Sequence, residues 1–198
     1  MHISEGVLSG TALAIGWAGS ITCTAIGLKK TDTNKIVRTA LISSAFFLAS
    51  LVNIRIGPSS THLSMLAPVG LILGWSGFPA MLIALFLQAV LFQFGGLLVL
   101  GVNTFTMGMP ALLAYILFGK MIRGENKIFS GIMSFIAGFL AVITGAFLVG
   151  VFLGISDRNF IETAKILLYA HIPLALIEGA VTCFMIMFLR RVSPEFLS

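Results

Sequence analysis

The chain has 198 residues, of which 58% are apolar and 10% are charged, and its formal net charge is +5. A soluble domain carries about 25% charged residues, so this composition excludes a water-soluble globular protein and indicates a membrane protein. The two cysteines lie inside apolar stretches and argue against a disulfide framework.

The chain begins with Met-His-Ile-Ser-Glu-Gly at residues 1–6. A secretory signal needs a basic residue before its apolar stretch and a small-residue cleavage site after it. Here Glu5 precedes the apolar stretch and no Lys or Arg does, so we expect Met1 to keep a free α-amine. That amine, the His2 amide nitrogen and the His2 imidazole together can chelate a late first-row divalent cation. The alternative is a flexible outer tail with a surface histidine.

Seven apolar stretches predict seven transmembrane helices in a single integral membrane domain covering residues 1–198. A helix needs about 20 apolar residues to cross ~30 Å of hydrocarbon, and continuous rather than alternating runs argue against a β-barrel. The fold class is therefore an all-α membrane protein, a seven-transmembrane-helix bundle. The predicted spans are approximately 7–28, 36–53, 60–75, 79–101, 107–122, 129–154 and 164–189.

The basic residues predict the orientation. When the spans alternate across the membrane, nine of the twelve fall on one side, namely Lys29, Lys30, Lys35, Arg38, Lys120, Arg123, Lys127, Arg190 and Arg191. The positive-inside rule then places the N-terminus outside and the C-terminus in the cytoplasm. This bias accounts for the net charge, so no nucleic-acid partner is expected.

The first span contains two series of small residues at helical spacing, Gly10-Ala14-Ala18 and Ala12-Gly16-Ser20. Small residues four apart let two membrane helices approach closely. The series could pack within the chain or contact a partner subunit, and the candidate docking residues are Gly10, Ala14, Gly16 and Ala18.

The third predicted span opens with a polar, helix-breaking stretch at residues 57–62. Irregular backbone at membrane depth occurs where it is buried in protein or lines a cavity, and broken helices mark binding sites in transporters. The alternative is an extracellular loop that caps a helix. His62 lies on the same predicted side as His2, and its imidazole would complete a square of four nitrogens, which is typical of Ni(II) or Cu(II).

Other polar residues could support such a site. Glu178 is an intramembrane carboxylate, and His171 lies seven residues earlier on about the same helix face. The two could be functional or could form a pair that locks helix packing. Gln88 and Asn103 could orient the metal ligands or make interhelical hydrogen bonds, and Glu5 is a further candidate of this kind.

Nucleotide and hydrolase motifs do not occur in the sequence. It has no GxxxxGK[ST] loop, no HExxH and no GxSxG. We therefore expect that the chain does not hydrolyse nucleotide by itself.

Four blocks, in this order, resemble the CbiM/NikM family, the substrate-capture (S) components of energy-coupling factor (ECF) transporters for cobalt and nickel. The blocks are Met-His-Ile-Ser-Glu-Gly at 1–6, Pro-Ser-Ser-Thr-His-Leu at 58–63, Gly-Gly-Leu-Leu-Val-Leu-Gly-Val-Asn-Thr-Phe-Thr-Met-Gly at 95–108, and Ala-His-Ile-Pro-Leu-Ala-Leu-Ile-Glu-Gly at 170–179.

The resemblance implies a helical bundle into which the N-terminal segment inserts from outside. It also implies a metal held by the Met1 α-amine, the amide and imidazole nitrogens of His2, and the His62 imidazole. The implied substrate is Co²⁺ or Ni²⁺, with no organic cofactor. The implied partners are a transmembrane coupling (T) protein, two cytoplasmic ATPases and often a small accessory membrane protein, in the inner membrane of a prokaryote.

The choice of metal stays open at the level of sequence. Many cobalt-type members have Cys-His-Pro around the second histidine, whereas this chain has Thr61-His62-Leu63 and so resembles the nickel-type or mixed branch. Two other functions stay open as alternatives. One is an ECF capture subunit for an organic micronutrient, and the other is an intramembrane enzyme that uses Glu178 and His171.

Overall fold

The structure is a computed structural model, and it describes residues 2–56 and 59–197. In that part, the chain is mostly helical, with one short antiparallel strand pair. The elements are α1 (Gly10–Lys30), α2 (Ile36–Ala49), β1 (Asn53–Ile56), β2 (Ser59–His62), α3 (Leu66–Leu73), α4 (Gly77–Phe92), α5 (Leu100–Ile122), α6 (Lys127–Ser156) and α7 (Ile161–Val192).

The helix ends follow local sequence signals. Ser9 caps α1, because its Oγ accepts a hydrogen bond from the Ala12 N–H at 3.3 Å. Lys29 and Lys30 in the last turn of α1 complement the negative end of the helix dipole. Asn126 caps α6 in the same way as Ser9 caps α1.

Five stretches of the described chain are long and apolar enough to cross a membrane. They are Gly10–Lys30, Leu66–Phe92, Leu100–Ile122, Lys127–Ser156 and Arg158–Val192, and α2 is a shorter apolar helix. Helices α3 and α4 thus count as one stretch. The total of seven spans and the side on which each terminus lies stay predictions.

The boundaries predicted for the third and fourth spans were wrong. The span at 60–75 is not one helix, because β2 occupies its start and α3 begins only at Leu66. The span at 79–101 breaks between α4 and α5, where Gly95 and Gly96 have φ values of +79° and +126°. Glycine adopts positive φ at little steric cost, so the chain can turn at these two residues. The residues on both sides of the break are apolar, so hydropathy alone does not reveal it.

The strand pair places His62 at the base of a hairpin. Asn53 pairs with His62 and Ile56 with Ser59 in antiparallel register. Residues 57 and 58, which belong to the predicted irregular stretch, lie outside the described residues. The Leu63 N–H extends the pairing by donating to the Val52 carbonyl at 3.3 Å. The segment that follows α2 is therefore partly a hairpin, which the all-α prediction did not include.

Helix α3 lies in the centre of the core. Its residues from Leu66 to Ile72 are all buried. At Gly70 its backbone touches α5, and a Cβ there would lie 1.8 Å from the Ala111 carbonyl oxygen. Helices α6 and α7 form the most extensive helix pair and cross closely at Gly138 and Gly179.

We predict that Gly70→Ala destabilises the protein because the new methyl group meets the α5 backbone, which cannot move aside as a side chain could. The expected loss is about 2 kcal/mol or more, measured as a lower midpoint of thermal unfolding in detergent. Gly154→Ala is the matched control, since a Cβ at Gly154 meets no atom within 4 Å. Equal unfolding midpoints for the two variants would contradict the close approach of α3 and α5.

Candidate metal centre

Two imidazoles meet at the centre of the site. The His2 Nδ1 atom lies 2.9 Å from the His62 Nε2 atom, and the ring centroids are 4.7 Å apart. The His62 Nδ1 atom lies 3.1 Å from the Leu63 carbonyl oxygen, which can only accept. His62 therefore carries its proton on Nδ1 and presents the lone pair of Nε2 to His2.

The backbone of Ile3 is held by one side chain on α5. Asn103 Oδ1 accepts from the Ile3 N–H at 2.9 Å, and Asn103 Nδ2 donates to the Ile3 carbonyl at 3.1 Å. The Ile3 side chain is buried in the cluster that includes Val102 and Phe152. This pair of bonds fixes the residue next to His2 in both position and direction.

The loop between α4 and α5 also holds the N-terminal segment, at Glu5. The Glu5 N–H donates to the Gly95 carbonyl at 3.1 Å, and the Glu5 carboxylate accepts from the Leu98 N–H at 2.9 Å. A Cβ at Gly96 would lie 2.2 Å from Glu5 Cγ, and one at Gly95 would lie 2.8 Å from Asn103 Nδ2. Both glycines are needed for the chain to approach this closely.

Both imidazoles are neutral at ordinary pH. Burial lowers the pKa of His62 to about 3, and burial also lowers the pKa of His2. A neutral imidazole has one lone pair available for a metal ion, so the environment favours ligation over protonation.

Gln88 approaches the His2 ring from α4. The Gln88 side chain lies close enough to His2 to raise the pKa of its imidazole, against the larger lowering by burial. Among the described residues, however, the two Gln88 amide atoms and His2 Nε2 have no hydrogen-bond partner of standard geometry. All three atoms are buried. Burying a polar atom without a hydrogen-bond partner costs free energy. A shift of the His2 proton to Nε2 that let this atom bond the Gln88 side chain would therefore be favoured.

Glu178 binds the chain just after His62. Its carboxylate accepts from the Ser64 N–H, from the Ser64 hydroxyl at 2.8 Å and from the Met65 N–H at 3.1 Å. Met65 has a φ of 45° and precedes the first turn of α3, where a carboxylate is stabilised by the helix dipole. His171 donates from Nδ1 to the Leu167 carbonyl of its own helix at 2.8 Å.

The side chains alone do not make a complete metal site. Within the part of the chain that the structure describes, no group of three or more His, Cys, Asp or Glu could hold a metal ion. The further ligands predicted from the sequence are the His2 amide nitrogen and the Met1 α-amine. Met1, which was predicted to contribute its α-amine, lies outside the described residues.

The small residues of α1 divide between two faces. Gly16 was predicted as a docking residue, but it is buried, and a Cβ there would lie 2.3 Å from Val102 Cγ2. The prediction for Gly16 was wrong because this residue packs inside the chain. Gly10, Ala14 and Ala18 lie on the opposite, exposed face and stay candidates for docking.

The sequence reasoning missed Ser64 as a residue of the site, and it gave Gly95 and Gly96 no place there. Ser64 is fully buried and binds Glu178 through its hydroxyl, but an isolated serine carries no sequence signal. The glycine pair did carry a signal, because two adjacent glycines are a strong break in a helical pattern.

The family model described as "Cobalt uptake substrate-specific transmembrane region" (CbiM) matches residues 2–196. The chain belongs to this family. Its membership confirms the resemblance seen in the four sequence blocks and shows that the chain is a multi-pass membrane protein.

Relatives of this CbiM-family chain have names that refer to metal transport. A protein of Haemophilus influenzae assigned to metal transport is 33% identical, and the match covers 100% of this chain and 97% of the relative. The cobalt transport protein CbiM of Thermosipho melanesiensis is 30% identical, covering 92% and 83% respectively. The fused nickel transport protein NikMN of Rhodobacter capsulatus is 28% identical, covering 100% of this chain and 64% of the relative.

Solved structures share the fold. A crystal structure of a transition metal transporter matches with a TM-score of 0.77 at 24% identity, covering 97% of this chain and 93% of that chain. A truncated transition metal transporter matches with a TM-score of 0.76 at 24% identity, covering 98% and 99%.

The CbiM family is one of metal-transport components, and its relatives are cobalt and nickel transport proteins. This membership favours metal transport over the two alternatives, an organic-micronutrient capture subunit and an intramembrane enzyme. Glu178 and His171, the residues of the enzyme alternative, make hydrogen bonds that organise the backbone.

We predict that Asn103→Leu weakens Ni²⁺ binding by about 10- to 100-fold, because it frees the Ile3 backbone while leaving every imidazole in place. Titration calorimetry in detergent measures the change. Thr104→Val is the matched control, since the buried Thr104 hydroxyl has no hydrogen-bond partner among the described residues. A folded Asn103→Leu variant with the affinity of the control would show that anchoring of Ile3 does not support the site.

Proposed function

We propose that this protein is the substrate-capture subunit of an ECF-type transporter and that it binds Co²⁺ or Ni²⁺ as its transported substrate. The ligands are the Met1 α-amine, the amide nitrogen and Nδ1 of His2, and Nε2 of His62. The first three form fused five- and six-membered chelate rings, and the fourth closes the square.

The distance between the two imidazole nitrogens carries the proposal. Two nitrogens that each lie about 2.0 Å from an ion and subtend 90° are about 2.8 Å apart. His2 Nδ1 and His62 Nε2 are 2.9 Å apart. They stand at the separation of neighbouring ligands in a planar site, and an ion can enter with little movement of either ring.

The tautomers support this assignment. His2 Nδ1 must give up its proton to bind an ion, and the ring proton then resides on Nε2. That atom is buried near Gln88, whose side-chain oxygen is also without a partner among the described residues. Metal binding would therefore create a donor beside an acceptor, which fixes the ring as a ligating histidine requires.

A hydrogen bond at Nδ1 orients the His62 ring. Its Nδ1–H donates to the Leu63 carbonyl, which keeps the lone pair of Nε2 directed at the site. Glu178 fastens the two residues beyond Leu63 to α7. We infer that Glu178 positions the metal site without touching the ion.

We propose that two cytoplasmic ATPases supply the energy for uptake, a role for which the 198-residue sequence has no nucleotide-binding loop. We propose that a transmembrane coupling protein links them to this subunit. The exposed small residues Gly10, Ala14 and Ala18 of α1 would allow a close helix contact with that protein.

Extending the N-terminus tests the chelate. We predict that two residues, Ser-Gly, placed before Met1 lower the affinity for Ni²⁺ by about 100-fold or more, because the α-amine is displaced while all side chains stay. Two residues are used because a single one would add an amide nitrogen and could rebuild a four-nitrogen set without His62. Calorimetry on protein with a verified N-terminal mass gives the affinity.

Two histidine variants serve as controls for the same titration. His62→Ala should lose affinity as the extended protein does, whereas His171→Ala should retain most of it, since His171 is bonded to its own helix. An extended protein that binds Ni²⁺ as tightly as the original would refute the chelate.

A further inference from the structure

We propose that the end of the bundle opposite the metal centre binds one anionic phospholipid. Its phosphate lies in a small basic cavity between α2, α3 and α5, and one acyl chain lies in an apolar groove between α2 and α4. The argument is independent of the metal site.

The basic cavity has a volume of about 80 Å³. Three cationic side chains and three hydroxyl side chains line it, Lys35, Arg38, Arg123, Thr39, Ser76 and Tyr115. Within the described chain its lining includes no carboxylate. This set of donors fits a phosphate group, which arginine and lysine bind through charge-assisted hydrogen bonds.

Backbone carbonyls hold the two arginines in place, including those of Glu195, Phe196 and Leu197 near the C-terminus. Arg38 donates to the Ile72 carbonyl at 2.7 Å, and Arg123 donates to the Gly119 carbonyl at 3.0 Å. Bonds to carbonyl oxygens orient a guanidinium group without cancelling its charge. The buried Arg38 Nε atom has no hydrogen-bond partner among the residues described, so this donor remains for a ligand.

The neighbouring groove is larger and apolar, with a volume of about 630 Å³. Its walls include Ile36, Ala40, Phe47, Leu48, Ile83 and Leu87. Its hydroxyl groups donate within the protein, Ser43 to the Ala80 carbonyl at 2.7 Å and Ser44 to the Ala40 carbonyl at 2.9 Å. The groove therefore offers hydrocarbon contacts and no free donor, which suits an acyl chain.

The cavity and the groove are adjacent. Thr39 lines both, and Thr31 of the groove hydrogen-bonds Ser76 of the cavity at 3.0 Å. One molecule with a charged head and an apolar tail can thus occupy both. Under the positive-inside prediction, this end faces the cytoplasmic leaflet, where basic pockets between membrane helices bind anionic headgroups.

The charge of the cavity selects among lipids. A zwitterionic headgroup brings an ammonium group next to Lys35, Arg38 and Arg123 and finds no carboxylate in the described lining. A headgroup with net negative charge avoids this repulsion. Free phosphate shares the head chemistry but gains nothing from the groove, so the acyl chain distinguishes the two sources.

The test measures binding to the purified full-length protein in detergent by native mass spectrometry. Phosphatidylglycerol, phosphatidylcholine and inorganic phosphate are added separately. Lys35→Ala removes one cation of the cavity, and Ala40→Phe fills the groove from an exposed position. Lys127→Ala is the matched control for charge, because Lys127 is exposed and lines neither cavity nor groove.

We expect phosphatidylglycerol to bind at least about fivefold more tightly than phosphatidylcholine, and Lys35→Ala to lose about fivefold in affinity while Lys127→Ala does not. Ala40→Phe should weaken phosphatidylglycerol binding. Equal binding of the two lipids, or equal effects of the two lysine variants, would overturn the proposal. Phosphate binding as tight as that of the lipid, unaffected by Ala40→Phe, would also overturn it and assign the cavity to a free anion.

Discussion

The packing of the N-terminal segment against α5 and the loop between α4 and α5 is the constraint on which the rest of the site depends. An isolated N-terminal segment has high conformational entropy, and ordering it costs about 1–2 kcal/mol per residue. Asn103 offsets part of this cost by bonding both polar groups of Ile3, and the Ile3 side chain is buried beside it. Only with this segment fixed does the His2 ring face the His62 ring.

The second half of the site depends on irregular backbone inside the protein. The hairpin ends at His62, the next three residues are neither helix nor strand, with Met65 at a φ of 45°, and α3 begins at Leu66. Such backbone needs partners when it is removed from water, and the Glu178 carboxylate supplies them from α7. Glu178 thus does for the backbone before α3 what a capping side chain does at a helix end. This role accounts for a carboxylate inside the apolar helix α7.

Much of the helical fold could be predicted from the sequence, because membrane helices have strong local signals. The Met1-His2 dipeptide is a weak signal by itself and gained weight from the resemblance of four sequence blocks to the CbiM/NikM family. The pairing of His2 with His62 is consistent with the prediction that both belong to one site. The irregular stretch before α3 was predicted from residues 57–62, although the helix begins later than the predicted span. The break at Gly95 was not predicted, because the residues on both sides of it are apolar, although the adjacent glycines carried a signal. The burial of Gly16 could not be separated from the exposure of Ala14, because both belong to small-residue series and only the packing against Val102 distinguishes the faces.

X-ray absorption at the Ni K-edge of the Ni²⁺-loaded protein tests the central claim most directly. The account predicts four nitrogen ligands at about 2.0 Å in a plane, with two of them imidazoles and no sulfur. A sulfur ligand, or six oxygen and nitrogen ligands in an octahedron, would contradict it.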